Sequence, residues 1–174
     1  MTLTVEDGTG VADANGLITV AFADAYFADR GITAWTGTDE VKGIAIIKAT
    51  DYMELLYADR WKGIISTDAT TLSFPRTYFY DRKGQLVDFT DDGIPNDIKK
   101  SCAEYALRAL TATLLADPTQ DSASGKVLTF TKKKVGPIET ESQFLAGFRE
   151  VIRKYPVPDR LLKNWLNGVG AVYR

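Results

Sequence analysis

The stretch from residue 38 to residue 56, TDEVKGIAIIKATDYMELL, decides the fold because its apolar residues recur at the spacing of an α-helix. Positions 41, 44, 45, 49, 52, 53 and 56 fall on one stripe of such a helix. Thr38 is a good helix N-cap, and the acidic residues Asp39 and Glu40 suit the positive end of the helix dipole. The stretch therefore predicts a helix that begins just after Thr38 and packs one side against a core.

Helices are also predicted before and after this stretch. Residues 20–29 form a short helical pattern that ends near a glycine. Residues 95–114 begin with a proline, which is favourable in a first helical turn, and continue with a second apolar stripe. Residues 1–18 are rich in Gly, Asp, Thr and Asn and are predicted to form an extended arm or loop.

Two β-hairpins are predicted from short apolar runs on either side of turn residues. Residues 78–80 and 86–87 flank Asp-Arg-Lys-Gly at positions 81–84, which suits a β-turn with glycine in its last position. Residues 126–135 and 138–141 flank a Gly-Pro pair and form a second candidate hairpin. Both hairpins are expected to project from the helices.

The C-terminal part of the chain predicts two short helices and a tail. Residues 144–155 carry apolar side chains on one helical side, and Pro156 and Pro158 are expected to stop that helix. A last helix is expected over residues 159–166. The residues that follow are small and almost uncharged before a final arginine, which predicts an extended tail.

Together these elements predict a mainly α fold: a bundle of three or four helices with one or two projecting β-hairpins and an extended C-terminal tail. A chain of 174 residues is expected to form one domain. Its expected segments are an arm at 1–18, a helical core with an inserted hairpin at 19–115, a β-hairpin at 126–141, short helices at 142–166 and a tail at 167–174.

The composition removes several functional classes. Hydrophobic residues make up 45% of the chain and charged residues 25%, as in ordinary soluble proteins. Histidine is absent, which excludes Ser-His-Asp and Cys-His catalysis and histidine metal sites. Cys102, the single cysteine, is expected to be a core residue. We therefore expect a protein that is not an enzyme, with no catalytic residue, no cofactor and no metal.

Charge and targeting patterns limit the partners. The net charge of −2 argues against a general nucleic-acid binder. Residues 1–93 carry a net charge of −7 and residues 94–174 a net charge of +5, a split that suits packing of copies side by side or arises by chance. The first residues have no basic n-region and no apolar h-region, so we expect no signal peptide, and no apolar run is near the roughly 20 residues of a membrane span. We expect a soluble protein made in the cytoplasm, with no membrane partner.

Three groups of residues suit contact with nucleic acid or with another subunit. Lys132, Lys133 and Lys134 could contact phosphates or an acidic patch, although a charged edge strand that blocks aggregation explains them as well. Arg60-Trp61-Lys62 and Arg76-Thr77-Tyr78 place aromatic rings beside cations, the combination that stacks single-stranded bases. Aromatic residues at this density also form cores and interface anchors, so both interpretations stay open.

The chain carries a series of short motifs in an order that no catalytic chemistry requires. They are Thr4-Val-Glu-Asp-Gly-Thr-Gly10, Ala25-Tyr-Phe27 with Asp29-Arg-Gly31, Ala49-Thr-Asp-Tyr52, Arg60-Trp-Lys-Gly63, Phe74-Pro-Arg76, Tyr80-Asp-Arg82, Ile94-Pro95, Cys102-Ala-Glu104 with Ala106-Leu-Arg-Ala109, Val135-Gly-Pro-Ile-Glu139 and Asp159-Arg-Leu-Leu162. In this order they resemble the small head-to-tail connector (adaptor, or head-completion) proteins of tailed bacteriophages. Members of that group are often labelled DnaT-like, after a primosomal protein that binds single-stranded DNA.

The resemblance implies a structural virion protein at the capsid vertex and neck. It implies a homo-oligomeric ring of twelve copies that docks on the portal protein, seals it and presents a platform to further tail or head-completion proteins. DNA would pass through the channel of this ring, including during ejection, without sequence-specific binding. The tail would dock into portal clefts, and its residues are Gly168, Val169, Gly170, Ala171, Val172, Tyr173 and Arg174.

The DnaT-like label leaves a second interpretation, a replication accessory protein that binds single-stranded DNA. In that case Arg60, Trp61 and Lys62, or the lysines at 132–134, would contact the nucleic acid rather than another subunit. The net acidity of the chain and the lack of a basic stripe weigh against this alternative.

Overall fold

The computed structural model describes residues 2–67, 70–80, 84–88, 93–115, 128–134, 139–144 and 153–167. They belong to two compact units. The first unit comprises Met1–Leu114 and Lys154–Arg174, and the second comprises Leu115–Arg153. The predicted single domain stays a prediction.

The described helices and strands confirm a mainly α fold with β-hairpins. The first unit contains helices α1 (Val20–Ala28), α2 (Asp39–Tyr57), α3 (Asn96–Ala109) and α4 (Pro156–Leu162). It also contains an antiparallel sheet in which β2 (Arg76–Tyr80) lies between β1 (Ile64–Ile65) and β3 (Leu86–Asp88). The second unit contains the antiparallel hairpin of β4 (Leu128–Lys134) and β5 (Glu139–Phe144).

The first two helices begin where their sequences place the caps. Thr19 Oγ1 accepts a hydrogen bond from the amide of Phe22 at 3.1 Å, and Thr38 Oγ1 accepts one from Val41 at 3.3 Å. Each threonine thus satisfies one of the amides that a helix leaves unpaired at its N-terminus. The predicted starts of α1 and α2 are confirmed.

Helix α2 is buried on a broader side than its sequence stripe predicts. Ala45, Ala49 and Met53 are buried as expected, whereas Val41 and Ile44, which the stripe also predicted to be buried, are 47% and 40% exposed. Ile46, which lies outside the stripe, is fully buried. The added burial has a tertiary cause, because the N-terminal segment meets this helix, where the amide of Leu17 donates to Thr50 Oγ1 at 3.3 Å.

That N-terminal segment is irregular, as predicted, but it is folded around a buried carboxylate. Glu6 is only 1% exposed, and its two carboxylate oxygens accept hydrogen bonds from the amides of Gly8, Gly10 and Val11 at 2.8–2.9 Å. Backbone donors stabilise a buried charge that would otherwise be very costly. Leu17, at the end of the segment, is fully buried, so the residues after the loop are part of the core.

Cys102 lies in the same core, as predicted. It is fully buried on α3, and its Sγ lies 3.8 Å from Thr50 Oγ1 of α2. Burial raises the pKa of the Cys102 thiol to about 12, so at neutral pH it stays a protonated, unreactive core group.

Two sequence predictions for helix ends are wrong. Helix α3 ends at Ala109 rather than at residue 114, since β-branched threonines at 111 and 113 are poor helix formers. The last helix spans Pro156–Leu162 rather than 159–166. Its prolines were expected to stop a helix, but they begin one, because a first helical turn leaves its amides unpaired and proline has none to lose.

The helix predicted at 144–155 is also wrong at both ends. Phe144 belongs to β5, and residues 153–155 are not helical. The predicted apolar pattern runs from the end of strand β5, at Phe144, to the N-cap of α4, at Tyr155. A short apolar pattern does not by itself distinguish a helix from a strand. Residues 145–152 lie outside the described part of the chain.

The C-terminal helix is attached to the core through Asp159. Its Oδ1 accepts hydrogen bonds from the hydroxyls of Tyr105 at 2.5 Å and Tyr57 at 3.2 Å, and its Oδ2 accepts one from the amide of Tyr155 at 3.0 Å. The two hydroxyls also lie 3.1 Å apart. One carboxylate thus joins α2, α3 and α4.

This buried network predicts a loss of stability in alkali. Burial is the largest cause that raises the pKa of Tyr105 above its ordinary value of 10.0, and burial is also the largest cause that raises the pKa of Tyr57. Above pH 10 the unfolded chain loses protons that the folded protein keeps, so the free energy of unfolding falls as the pH rises, by up to about 1.4 kcal/mol per pH unit for each tyrosine. Urea titrations between pH 9 and pH 11 measure this slope.

In the variant Tyr105→Phe, the slope of the free energy of unfolding against pH above pH 10 should fall by the contribution of about one proton. The variant should also be less stable at pH 7, by about 1–2 kcal/mol, because hydrogen bonds are lost. Tyr80→Phe, at an exposed tyrosine, is the matched control and should leave the slope unchanged. An unaltered slope in Tyr105→Phe would contradict the assignment.

Candidate functional site

The three-stranded sheet carries a concentration of exposed apolar side chains, which we call the sheet surface. Half of the large apolar side chains that are exposed among the described residues lie on it. Its members are Ile64, Ile65, Tyr78, Tyr80 and Leu86, which are 48–70% exposed. Exposed apolar groups gathered in one place commonly mark a binding surface.

Tyr78 is presented in an unusual way within this surface. The pairing of β2 with β3 shifts between Thr77 and Phe79, so that Tyr78 is the extra residue of a β-bulge. Its φ is +58°, a left-handed conformation that is rare for an aromatic residue, and its side chain is 70% exposed. Left-handed backbone costs about 1–2 kcal/mol in a residue with a Cβ. The structure therefore bears strain at a residue whose ring points to solvent.

Tyr80 extends the aromatic part of the surface along β2. It is 67% exposed and pairs with Leu86 across the hairpin, while Phe79 between the two tyrosines is buried. Directly opposite residues of paired strands share a side of the sheet, so Tyr80 and Leu86 form one patch. Tyr78 is exposed two residues before Tyr80 on the same strand.

Buried Arg76, the first residue of β2, connects this strand to the turn before β1. It is only 8% exposed, and its guanidinium donates to the carbonyl oxygens of Gly63 at 2.7 Å, Lys62 at 2.9 Å and Ser73 at 3.2 Å. These contacts fasten the turn before β1 to the strand that carries the tyrosines. Arg76 is therefore a structural residue, and the hypothesis that it binds nucleic acid beside Tyr78 is wrong.

Gly63 is required by the same close approach. Its φ is +76°, and a Cβ at this position would meet the carbonyl oxygen of Thr77 and come within 2.8 Å of Phe79 Cδ1. Only a residue without a side chain allows the turn and β2 to pack this closely.

Glu54 of α2 connects the sheet to the helices. Its carboxylate accepts hydrogen bonds from the amide of Ser73 at 3.1 Å and from the Ser73 hydroxyl. Burial is the main influence on Glu54 and raises its pKa, while the bonds from Ser73 and the charge of Arg76 oppose that rise. The segment that leads into β2 is thus fixed to α2 by a buried polar contact.

The segment of residues 60–62 pairs with the segment of residues 165–167. The amide of Lys62 donates to the carbonyl of Trp165 at 3.0 Å, and the amide of Asn167 donates to the carbonyl of Arg60 at 2.8 Å. Trp61 and Leu166 form the bridge between these bonds. The chain that follows α4 therefore lies beside residues 60–62, which lead into β1.

Of the predicted contact residues, Trp61 is not available at the surface. It is only 3% exposed, and its ring packs edge-on against Tyr57 and Phe74. The prediction that its ring stacks on bases is therefore wrong, because its hydrophobic area is used in the core. Arg60 and Lys62, its neighbours, are partly exposed.

The other predicted contact residues belong to the second unit or lie outside the described part of the chain. Lys132, Lys133 and Lys134 belong to β4 in the second unit, where Lys132 stands opposite Glu141 and Lys134 opposite Glu139. The tail, residues 168–174, lies outside the described part of the chain.

Tyr78 was predicted only as a neighbour of Arg76, and Tyr80 was not predicted to take part in binding. A signal was available, since two tyrosines flank one phenylalanine in a strand, and alternation of this kind predicts both tyrosines on one side. The bulge and the left-handed backbone at Tyr78 have no signal in the sequence.

The described residues contain no helix long and apolar enough to cross a bilayer. Among the same residues, no three acidic or cysteine side chains are grouped so that they could bind a metal ion.

The fold and site thus define a small mainly α protein with an exposed, tyrosine-bearing sheet. A family model described as "Putative DnaT-like ssDNA binding protein" matches residues 1–174, and the chain belongs to this family. No curated protein and no solved structure matches the chain. These comparisons give no support to the predicted head-to-tail connector role.

The contribution of the Arg76 hydrogen bonds to stability can be tested by substitution. Arg76→Met keeps the aliphatic stem but leaves buried carbonyl oxygens unpaired, so we expect the free energy of unfolding to fall by about 2–4 kcal/mol in urea titrations. Arg160→Met, at an exposed arginine of α4, is the matched control and should change stability by less than about 0.5 kcal/mol. Equal stability of the two variants would show that the Arg76 hydrogen bonds do not stabilise the fold.

Proposed function

We propose that this protein binds single-stranded DNA through the sheet surface. The observation that carries the proposal is Tyr78, an exposed aromatic ring on a bulged, left-handed residue. Strained backbone is retained where the surrounding structure enforces it, and such positions cluster at functional sites. The family description supports the same class of ligand.

The geometry of the two tyrosines suits unpaired bases. Every base has a π-face, and stacking on an aromatic side chain contributes about 1–3 kcal/mol for each base. Each of the two exposed rings can take the face of an unpaired base, which a paired and stacked duplex does not offer.

The charge distribution sets the expected strength of binding. Residues 1–93, which include the sheet, carry a net charge of −7, so few phosphates can be neutralised. Among the described residues, Arg60 and Lys62 are partly exposed in the segment before β1. We expect modest affinity, dominated by stacking and only weakly dependent on salt.

Substitution of Tyr78 separates binding from folding. Tyr78→Gly removes the ring and relieves the left-handed strain, so we expect unchanged or slightly higher stability, by up to about 1 kcal/mol, together with a roughly tenfold loss of affinity. The measurement is fluorescence anisotropy with a labelled oligo(dT), with duplex DNA of equal length as competitor.

The control for this experiment is Leu55→Ser, which removes an exposed apolar side chain of α2 and should leave the affinity unchanged. Absence of oligo(dT) binding by the unaltered protein, or equal affinity of Tyr78→Gly and the unaltered protein, would contradict the proposal.

A second candidate function is the predicted head-to-tail adaptor of a tailed bacteriophage, a ring of about twelve copies on the portal protein. The observation that favours it is the aliphatic part of the sheet surface, since stacked bases make little use of Ile64, Ile65 and Leu86. Aliphatic side chains of this kind suit contact between subunits. In this case the protein would be a component of the virion neck. Neither candidate function is catalytic.

Electron microscopy of the protein mixed with portal protein tests the adaptor. A ring stacked on the portal, lost in Leu86→Asp and after deletion of residues 168–174, is the result expected of an adaptor. Leu55→Asp is the matched control, since it places the same charge on a different exposed surface. A bare portal beside monomers, together with oligo(dT) binding, would leave the first proposal alone.

A further inference from the structure

Helix α2 carries a second exposed surface, on a different element from the sheet. Three of its large apolar side chains are exposed: Val41 by 47%, Ile44 by 40% and Leu55 by 73%. Exposed residues with short or charged side chains lie between them and after them. We call the whole set the α2 surface, and its members are Val41, Ile44, Lys48, Asp51, Leu55 and Ala58.

The spacing of the α2 surface is that of a coiled-coil seam. Its members follow one another at alternating intervals of three and four residues, at positions 41, 44, 48, 51, 55 and 58. Positions a and d of a heptad have this 3.5-residue period, so the surface is one seam about 26 Å long. Ala58 continues the helical backbone, with φ −53° and ψ −42°. A seam of this kind is the part of a helix that packs against another helix.

The order of residues in the seam is self-complementary for two antiparallel copies. Apolar residues occupy both ends, and the opposite charges of Lys48 and Asp51 occupy the middle. About a two-fold axis midway between these charges, the two copies face each other in layers of 41 with 58, 44 with 55, and 48 with 51. Each apolar residue thus meets an apolar residue, and each charge meets the opposite charge.

Other arrangements of the same seam are unfavourable. A parallel pair would place Lys48 opposite Lys48, and Asp51 opposite Asp51, of the second copy, and like charges in contact repel each other. An antiparallel pair shifted by one heptad would place both charges against apolar side chains, where a charge loses its hydration without gaining a partner. A polar layer within an apolar seam therefore fixes the register and the orientation of the two helices.

Lys48 and Asp51 are available for this contact. The ion pairs among the described residues lie elsewhere, one between α1 and α2 and one within α3. Lys48 and Asp51 take part in neither of them, although both are charged residues of the same seam. Across a two-fold axis each would gain an opposite charge, which makes two new pairs in one interface.

We infer that two copies of this chain form an antiparallel two-fold dimer through the α2 surface. A closed two-fold contact of this kind gives a dimer and not a ring. The dimer would also bury Val41 and Ile44, which the sequence stripe predicted to be buried and which a single copy leaves exposed. One pair of helices is at the small end of specific interfaces, so we expect a dissociation constant on the order of 10 µM.

The dimer goes beyond the proposed function and does not depend on it. The α2 surface and the sheet surface lie on different elements, so each copy keeps its own complete sheet surface. A short oligo(dT) that occupies one sheet surface should therefore bind the monomer and the dimer equally.

Sedimentation velocity over a concentration series tests the dimer. The unaltered protein should change from monomer to dimer as its concentration rises through about 10 µM. Lys48→Asp would bring carboxylates together in the central layers and Asp51→Lys would bring ammonium groups together, so each should weaken the dimer at least about tenfold. Lys163→Asp makes the same change of charge at an exposed lysine after α4, and this matched control should leave the dimer unchanged.

A mixture of the two variants distinguishes a lost contact from a folding defect. The seam of Lys48→Asp is acidic and that of Asp51→Lys is basic, so an equimolar mixture should form a dimer although neither variant forms one alone. The double variant Lys48→Asp/Asp51→Lys restores opposite charges across the axis and should dimerise like the unaltered protein. Urea titrations check that all three variants are folded.

Three outcomes would overturn the inference. The first is an unaltered protein that stays monomeric up to about 300 µM. The second is a dimer that Lys48→Asp does not weaken, which would assign self-association to another surface. The third is a mixture of folded Lys48→Asp and Asp51→Lys that stays monomeric. None of these outcomes affects the binding of oligo(dT), which is measured separately on the sheet surface.

Discussion

The carboxylate of Asp159 is the contact on which the arrangement of the first unit depends. It accepts hydrogen bonds from a tyrosine of α2, a tyrosine of α3 and the backbone at the start of its own helix α4. Helix α4 has only seven residues, too few to be stable by itself, so its position depends on such tertiary contacts. A charged acceptor with several donors is both strong and directional.

The position of α4 decides what lies beneath the sheet. With α4 fixed, residues 165–167 pair with residues 60–62, immediately before β1. Arg76 then joins that turn to β2 through the carbonyls of Lys62 and Gly63. Buried polar contacts therefore fix the strand that carries the exposed tyrosines, in addition to the aromatic core of Trp61, Phe74 and Phe79. Such contacts fix geometry precisely, because each donor and acceptor has to meet its partner.

Both candidate functions use the same surface, which explains why composition alone did not separate them. Tyrosine can stack on a base or anchor a protein interface, since its ring is amphipathic and loses little entropy on binding. Acidic residues dominate the N-terminal half of the chain, which favours a ligand held by stacking over one held by many phosphate contacts. Family membership adds weight to single-stranded DNA, and the aliphatic neighbours of the tyrosines keep a protein partner as the competing proposal.

The sequence by itself determined the local features of this protein: the caps of α1 and α2, the two hairpins, the buried Cys102 and the absence of histidine chemistry. Each follows from residues near one another in the chain, so spacing and propensity suffice. Sequence could not show that Arg76 and Trp61 are buried, that prolines begin α4, or that Tyr78 lies on a bulge with left-handed backbone. These features depend on which distant segments meet. Arg76 is buried because the turn at Gly63 offers it carbonyl groups, and the same close approach of that turn to β2 accompanies the bulge that exposes Tyr78. Only the tertiary structure decides such contacts, because hydrogen bonding and burial depend on partners that the local sequence does not contain.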